Sequence, residues 1–339
     1  MGSRRVGEVG VKILATIFDN RYNKLYDVSE AIADSITIAS FIEDQPNKCT
    51  FEIIKRDELA FWEGATIAIV VDGFKMFKGF VFSKQRKKDV DLITVTAYGQ
   101  MRYLKNKDTY VFEGKTSDQI FSKICNDFVI PHRIVDRSNF ICSPRSNDNK
   151  PLYDIIKTSL QDTLINTGQW FIIRDNFGVL EHVNVKSLVS EYVIGDQSAL
   201  MDFDYTTSID SDVYNQVKLY RDNKESGKRD IFIVNDTING GQNLKEWGIL
   251  QLYESVPENL NLKQIEQKAQ GMLKLYNDTQ RTLKLESMGI PSIQAGSIFA
   301  CNIADLGDMS LNNYLMVNSC THKISNNMHT MTLEVEVVV

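Results

Sequence analysis

The sequence holds only 6 prolines and 19 glycines in 339 residues, which excludes collagen-like and low-complexity chains. Cysteine is sparse and scattered. Cys49, Cys125, Cys142, Cys301 and Cys320 show neither the close spacing of zinc ligands nor a secreted disulfide framework. All five are expected to be reduced, buried packing groups. No apolar stretch approaches the roughly 20 residues of a membrane helix. The apolar run from Val11 to Phe18 follows Arg4 and Arg5 but is cut by Asp19 and Arg21. It is too short for a signal peptide, so synthesis in the cytoplasm without an export signal is expected. A basic excess is also missing. The 38 Lys and Arg stand against 44 Asp and Glu, for a formal charge of −6, which argues against a general nucleic-acid binder. No Walker loop, G-x-S-x-G elbow or dinucleotide fingerprint occurs. No cofactor is expected.

What is present is ordinary globular composition, with 43% hydrophobic and 24% charged residues and a length that suggests about two domains. Residues 11–113 read as short strands. Ala65 to Val71 and Phe74 to Phe82 flank Asp72-Gly73, a strong hairpin signal. Leu92 to Tyr98 alternates cleanly. Residues 114–190 switch to helical period. Thr116 and Gln119 are spaced as a capping box, and Ile120, Phe121, Ile124 and Phe128 share a face. A second helix starts near Pro151 and carries Leu152, Ile155, Ile156, Leu160 and Leu164, with Gly168 as terminator. A hairpin follows, Trp170 to Arg174 and Val179 to Val183. Strands return after residue 200, interrupted by a helix near 259–278 with Leu262, Ile265, Ala269, Met272 and Tyr276 on its stripe. In the last strand Met331, Leu333, Val335, Val337 and Val339 alternate with polar residues, so one face is buried and one wet. The expected architecture is α+β and β-dominated. Its parts are a first β-barrel domain over 1–113, an α+β insert over 114–199 and a second β-barrel domain over 200–339.

The two strand-rich regions share a faint pattern. Phe51 precedes Gly64 by 13 positions and Leu283 precedes Gly296 by 13. Each glycine opens a strand, Ala65 to Val71 or Ser297 to Ile303, and each region ends in a long alternating strand. An internal repeat is one reading; generic barrel patterning is the other.

The chemistry-bearing residues form no compelling constellation. His322 and His329 straddle a predicted hairpin near Cys320 and Asp305, at spacings that match no common metal motif. A metalloenzyme would need His182, His322 and His329 to converge; His132 completes the histidines. Gly240-Gly241 in Asn239 to Asn243 lacks a phosphate-loop context. Asp202 with Asp204, and Asp210 with Asp212, share faces of extended segments. They leave a hydrolase acid/base pair open without pointing to one. The run Lys84-Gln85-Arg86-Lys87-Lys88 reads as a solvated hairpin tip, or as a contact for an acidic protein partner or for passing nucleic acid. No catalytic, cofactor or metal residue is assigned.

One string carries more information: Thr96-Ala97-Tyr98-Gly99-Gln100-Met101-Arg102-Tyr103-Leu104, continuing through Lys105 to Phe112. It resembles the XkdQ/YqbQ family of phage-tail proteins. So do Leu25 to Ser29, Leu164 to Gly168, Phe203 to Asp210 and Tyr214 to Leu219. Gly99 departs from the acidic residue expected in the family's Tyr-Asp-x-x-Arg-Tyr-Leu string. The resemblance implies a non-enzymatic baseplate hub of a contractile phage tail or R-type bacteriocin. Two barrel domains per chain would let a homotrimeric ring join a sixfold tail tube to a threefold central spike. The implied partners are tube protein, spike protein and other baseplate or LysM-type tail proteins, with no membrane and no specific nucleic acid. The implied location is the tail baseplate of a virion or bacteriocin particle. The competing expectation is a tail-associated cell-wall hydrolase or carbohydrate-binding component.

Overall fold

The computed structural model describes residues 10–337 apart from 44, 57, 89, 224–227, 237, 259 and 307–310, with residues 238 and 239 described by backbone alone. The expectations resting on Arg4, Arg5, Val339 and the side chain of Asn239 lie outside the described residues.

The chain opens with seven strands: β1 Ile13–Asp19, β2 Lys24–Asp27, β3 Ile32–Phe41, β4 Lys48–Ile54, β5 Thr66–Val71, β6 Phe74–Arg86 and β7 Leu92–Tyr98. Period-2 alternation sends Ala15, Ile17, Ile36, Ile38, Phe51, Ile53, Ile67, Ile69, Val81 and Val95 into one core, as expected for strands wet on one side. The Asp72-Gly73 turn has φ of +50° and +83°. Both residues are thus left-handed, the geometry that matches strand twist in a tight hairpin.

A helical unit follows: β8 Lys107–Phe112, α1 Ser117–Asp127, β9 His132–Ile134, β10 Arg145–Pro151, α2 Leu152–Thr167, β11 Phe171–Asn176 and β12 Val179–Asn184. The Thr116–Gln119 capping box forms. Helix α2 ends where Gly168, at φ +68°, returns its amide to Leu164 O at 2.8 Å, a left-handed cap. Met101, Leu104, Phe121, Ile124, Leu152, Ile156 and Leu180 fill this unit's own core.

The remainder contains β13 Val189–Gly195, β14 Leu200–Ser208, β15 Gln216–Asn223, β16 Lys228–Asn235, α3 Gln242–Trp247, β17 Gln251–Ser255, α4 Leu262–Tyr276, β18 Gln280–Met288, β19 Ile298–Ile303, β20 Leu311–Ile324 and β21 His329–Val337. Strands β16, β15 and β17 form a separate three-stranded sheet. Helix α4 packs on it through Ile265, Ala269, Met272 and Leu273. Val217 and Leu219 of β15 face this core, whereas Ile231 and Ile233 of β16 are exposed. Leu262, placed on the helical stripe by sequence, is exposed too.

The first seven strands and the last six (β13, β14, β18–β21) share one 13-stranded sheet, in the main order β14-β18-β21-β20-β3-β4-β7-β6-β5-β1-β2. Its two ends are not paired with each other among the described residues, so the hydrogen-bonded path is open. The join is β3 on β20, antiparallel from Ser319↔Phe41 to Ile324↔Ile36. On either side of the join the same unit appears twice. β4 pairs β7, β7 pairs β6 and β6 pairs β5. Likewise β18 pairs β21, β21 pairs β20 and β20 pairs β19. All six ladders are antiparallel. Each unit has a one-residue bulge at one matching place, between Val81 and Ser83 and between Val317 and Ser319. The likeness stops at the outer strands, because β1 runs antiparallel to β5 while β13 runs parallel to β19.

The helical unit is clamped to this sheet. Ile42, Ile172, Val183, Val185, Ala295, Ile298 and Met316 form one shared buried cluster. Tyr153 donates to Ile42 O at 3.0 Å. Asp175, from β11, accepts the Gln100 amide at 2.6 Å and the Gly178 amide at 2.8 Å.

Candidate assembly face

Alternation gives the sheet a core side and a polar side, and the polar side is continuous across both units. A single row crosses eight strands: Phe80, Tyr98, Lys48, Ala39, Thr321, Thr332, Glu286 and Asp202. The next row holds Ser83, Thr96, Thr50, Thr37, Lys323 and Thr330. Between them, on the core side, run Val81, Ala97, Cys49, Ile38, His322 and Met331, all buried. Threonine suits this face, because its branched body favours a strand while its hydroxyl tolerates water. Thr94 donates to Glu52 at 3.0 Å and Ser319 to Glu334 at 2.9 Å. The charges on this side are mixed: Glu52, Asp202, Asp204, Glu286, Glu334 and Glu336 stand with Lys48, Lys78, Lys87, Lys284 and Lys323.

At the join, Phe41, Ile42, Glu43, Trp170, Asn318, Ser319, Glu334 and Glu336 line an open concavity of about 360 Å³. Burial, and then the neighbouring Glu43 charge, push the Glu336 carboxyl up to about 7. Neither Asn318 nor Glu336 stood out by pattern; only the pairing of β20 with β3 brings the acids of two distant segments together.

The histidines are packing groups. His182 donates from Nδ1 to Asp136 O (2.8 Å), which leaves Nε2 to accept from Ser117 Oγ (3.0 Å). His132 repeats this with Ile130 O and Ser122 Oγ, both at 3.0 Å. His322 Nε2 lies 2.8 Å from Ile293 O and so carries the proton; its Nδ1 accepts from His329 Nε2 at 2.9 Å. In each case a carbonyl can only accept, which fixes the tautomer. Burial pushes His182 and His329 down, and His322 to about 4. His182 sits in the helical unit's core and the His322–His329 pair in the sheet join, so the three do not converge. Among the described residues no group of three or more His, Cys, Asp or Glu is arranged to hold a metal ion.

All five cysteines are buried and free. Burial pushes Cys142 up to about 11 and Cys125 and Cys301 up to about 12. Asp202 and Asp204 lie on the polar side of β14, opposite Glu286 and Lys284, and Asp210 and Asp212 are exposed in the turn beyond it. Gly240 and Gly241 end a short 3-10 turn before α3. The basic run closes β6, where Lys84 lies over the rings of Phe61 and Trp62 and donates to Phe61 O at 2.5 Å. Arg86, Lys87 and Lys88 are exposed.

The arrangement is an extended polar wall with two open edges, not a cleft. The chain is 28% identical to YqbQ of Bacillus subtilis over 313 residues, 90% of this chain and 92% of that protein. It is 27% identical to the phage-like element PBSX protein XkdQ of the same organism, over 90% of this chain and 93% of that one. Its fold is similar to that of the prophage MuSo2 43 kDa tail protein of Shewanella oneidensis, with a TM-score of 0.69 at 13% identity, covering 96% and 98% of the two chains. It is also similar to the E. coli c3393 protein, described as a type VI secretion component resembling the T4 tail proteins gp27 and gp5. There the TM-score is 0.51 at 11% identity over 90% and 74% of the chains. The YQBQ-like family pattern matches residues 36–336, and with that span, from β3 to the last strand, the chain belongs to the YQBQ-like family.

Proposed function

We propose that this protein is a non-enzymatic structural hub of a tail baseplate, in a contractile phage or a tail-like bacteriocin particle. Three copies form a ring in which each chain contributes two barrel-like modules, so that a threefold assembly offers a sixfold face. One side meets the tail tube and the other the central spike, with further baseplate or LysM-type proteins around it. The observation that carries this reading is the duplicated four-strand unit fused into one sheet through β3 and β20. A symmetry adaptor needs two equivalent wall segments per chain, and a ring closes when one head-to-tail interface repeats under rotation. The fold likeness to tail proteins supports the placement. The polar face would line the lumen. Three copies carry −18 formal charges from −6 each, a balance that disfavours sticking to passing DNA.

The test is light scattering of the purified chain alone and with the particle's spike protein, followed by localisation of its density in the assembled particle. A trimer, alone or on the spike, is the expected result. A chain that stays monomeric with both spike and tube proteins would overturn the reading.

A further inference from the structure

We propose that copies of this chain join edge to edge, the β14 strand of one copy pairing antiparallel with the end of β6 in the next. Ser83 is set opposite Ser208, Gln85 opposite Thr206 and Lys87 opposite Asp204. This deepens the ring proposal and rests on it, because it names the surface that closes the ring.

The internal join of β3 with β20 is the template for this contact. β20 is a long strand with two neighbours along one edge: β19 pairs its first half, Leu311 to Met316, and β3 pairs its second half, Ser319 to Ile324. Its counterpart β6, 13 residues against 14, has only the first neighbour. β5 pairs Phe74 to Phe80, and no strand pairs the outer edge of Ser83 to Arg86 among the described residues. The counterpart of β3 is β14, since β3 pairs β4 as β14 pairs β18. β14 terminates the sheet, with its second edge unpaired among the described residues. Each copy therefore has a socket without a strand and a strand without a socket, of the kind already mated inside the chain.

The ladders fix the register. Val81 corresponds to Val317 at the bulge. Ala97 and Cys49 then correspond to Val335 and Leu283, so Ile38 corresponds to Tyr205. Transferring Thr321↔Ala39 and Lys323↔Thr37 gives Gln85↔Thr206 and Lys87↔Asp204. The chemistry fits. Lys87 and Asp204 both fall on the polar side, with Asp202 on the diagonal within reach of a long side chain. On the core side, Ile36 and Ile38 are buried at the internal join, whereas the matching Phe203 is 37% exposed and the neighbouring Met201 59%. An unpaired edge with exposed apolar residues invites a further strand. Lys87 and the Asp202/Asp204 pair thus become complementary halves of one contact.

The experiment uses the full chain carrying Gln85→Cys and Thr206→Cys. Residues opposite each other in an antiparallel pair lie about 4.5–5.5 Å apart at Cα, within disulfide range, and the five native cysteines are buried. Mild oxidation is expected to give covalent dimer and closed trimer, with little from either single variant or from Ser83→Cys with Thr206→Cys, two residues out of register. As a second readout, Lys87→Glu is expected to weaken association several-fold, and Lys87→Glu with Asp204→Lys to restore it. If the chain trimerises but the matched pair crosslinks no better than the controls, the edge pairing is overturned and the ring proposal stands on another interface. If the chain neither crosslinks nor associates, with or without the spike protein, both are overturned.

Discussion

Gly64 and Gly296 occupy the same point of two units 232 positions apart in the chain. Their φ angles are +88° and +87°. The Gly64 amide donates to Val81 O at 2.8 Å and the Gly296 amide to Val317 O at 2.7 Å. In return, Val81 N bonds Ala65 O and Val317 N bonds Ser297 O, both at 2.9 Å. A left-handed residue turns the chain into the strand that follows and holds it beside the bulge. This shared backbone device ties the two halves of the wall more securely than their sequences do.

The shared φ makes a prediction with a built-in contrast. A Cβ at Gly64 meets nothing within 4 Å, whereas one at Gly296 would lie 2.7 Å from Ile172 Cδ1, and Ile172 is buried. Gly64→Ala should therefore cost about 1 kcal/mol, the strain of an L side chain at positive φ. Gly296→Ala should cost about 1–3 kcal/mol more, from overpacking where the helical unit meets the sheet. Urea unfolding of the two variants checks this; equal losses would contradict it.

The repeat was only partly legible in the sequence. Equal spacings of 13 set Phe51 against Leu283, but the ladders set Phe51 against Leu285, because Cys49 and Leu283 pair the matching residues Ala97 and Val335. The glycine and its strand were readable because a positive φ demands glycine. The spacing misled because it counts through a loop, and loops vary in length without changing a ladder. The join of β3 with β20 was not readable at all: period-2 alternation says which face a strand buries, not which strand lies beside it. The charged candidates, Lys84–Lys88 and Asp202/Asp204, were visible as composition. Only the fold placed them at opposite edges of one wall.

Gly99 stands where the resemblance leads one to expect an acidic residue, and the structure shows what such a side chain would meet there. Gly99 precedes the 3-10 turn Gln100–Lys105 and has no side chain to cap it. Asp175 reaches in from the helical unit and accepts the Gln100 amide instead. A Cβ at residue 99 would fall 2.3 Å from Asp175 Oδ2. Burial pushes the Asp175 carboxyl up to about 6. Asp175→Ala should cost about 2–4 kcal/mol by leaving two buried amides without acceptors. Gly99→Asp alone should also destabilise, by crowding two carboxylates. The double variant should recover part of the loss, because the local carboxylate then caps the turn and the space is free. A double-mutant cycle by denaturant unfolding measures the coupling; additive losses would refute the exchange.

Glu336 gives the wall an unusual pH dependence. Its ordinary value is 4.5, and burial with Glu43 alongside raises it to about 7 in the folded chain. Between those values the folded state holds a proton that the unfolded state has released, so stability falls as pH rises through the window. His322 acts in the opposite direction. Burial lowers it from 6.5 to about 4, so the unfolded state takes up its proton first and stability falls as pH drops through that range. The raw profile of the protein mixes the two, but a difference between variants separates them, since His322 is common to both. Glu336→Gln should match the parent in stability near pH 4, below the ordinary value of 4.5, where Glu336 is largely protonated in both states. It should exceed the parent by about 1–2 kcal/mol near pH 8, where the parent keeps a charge beside Glu43. Urea midpoints at the two pH values decide it: a gain equal at both would mean that Glu336 is an ordinary wet carboxylate and that the concavity at the join is not a low-dielectric site.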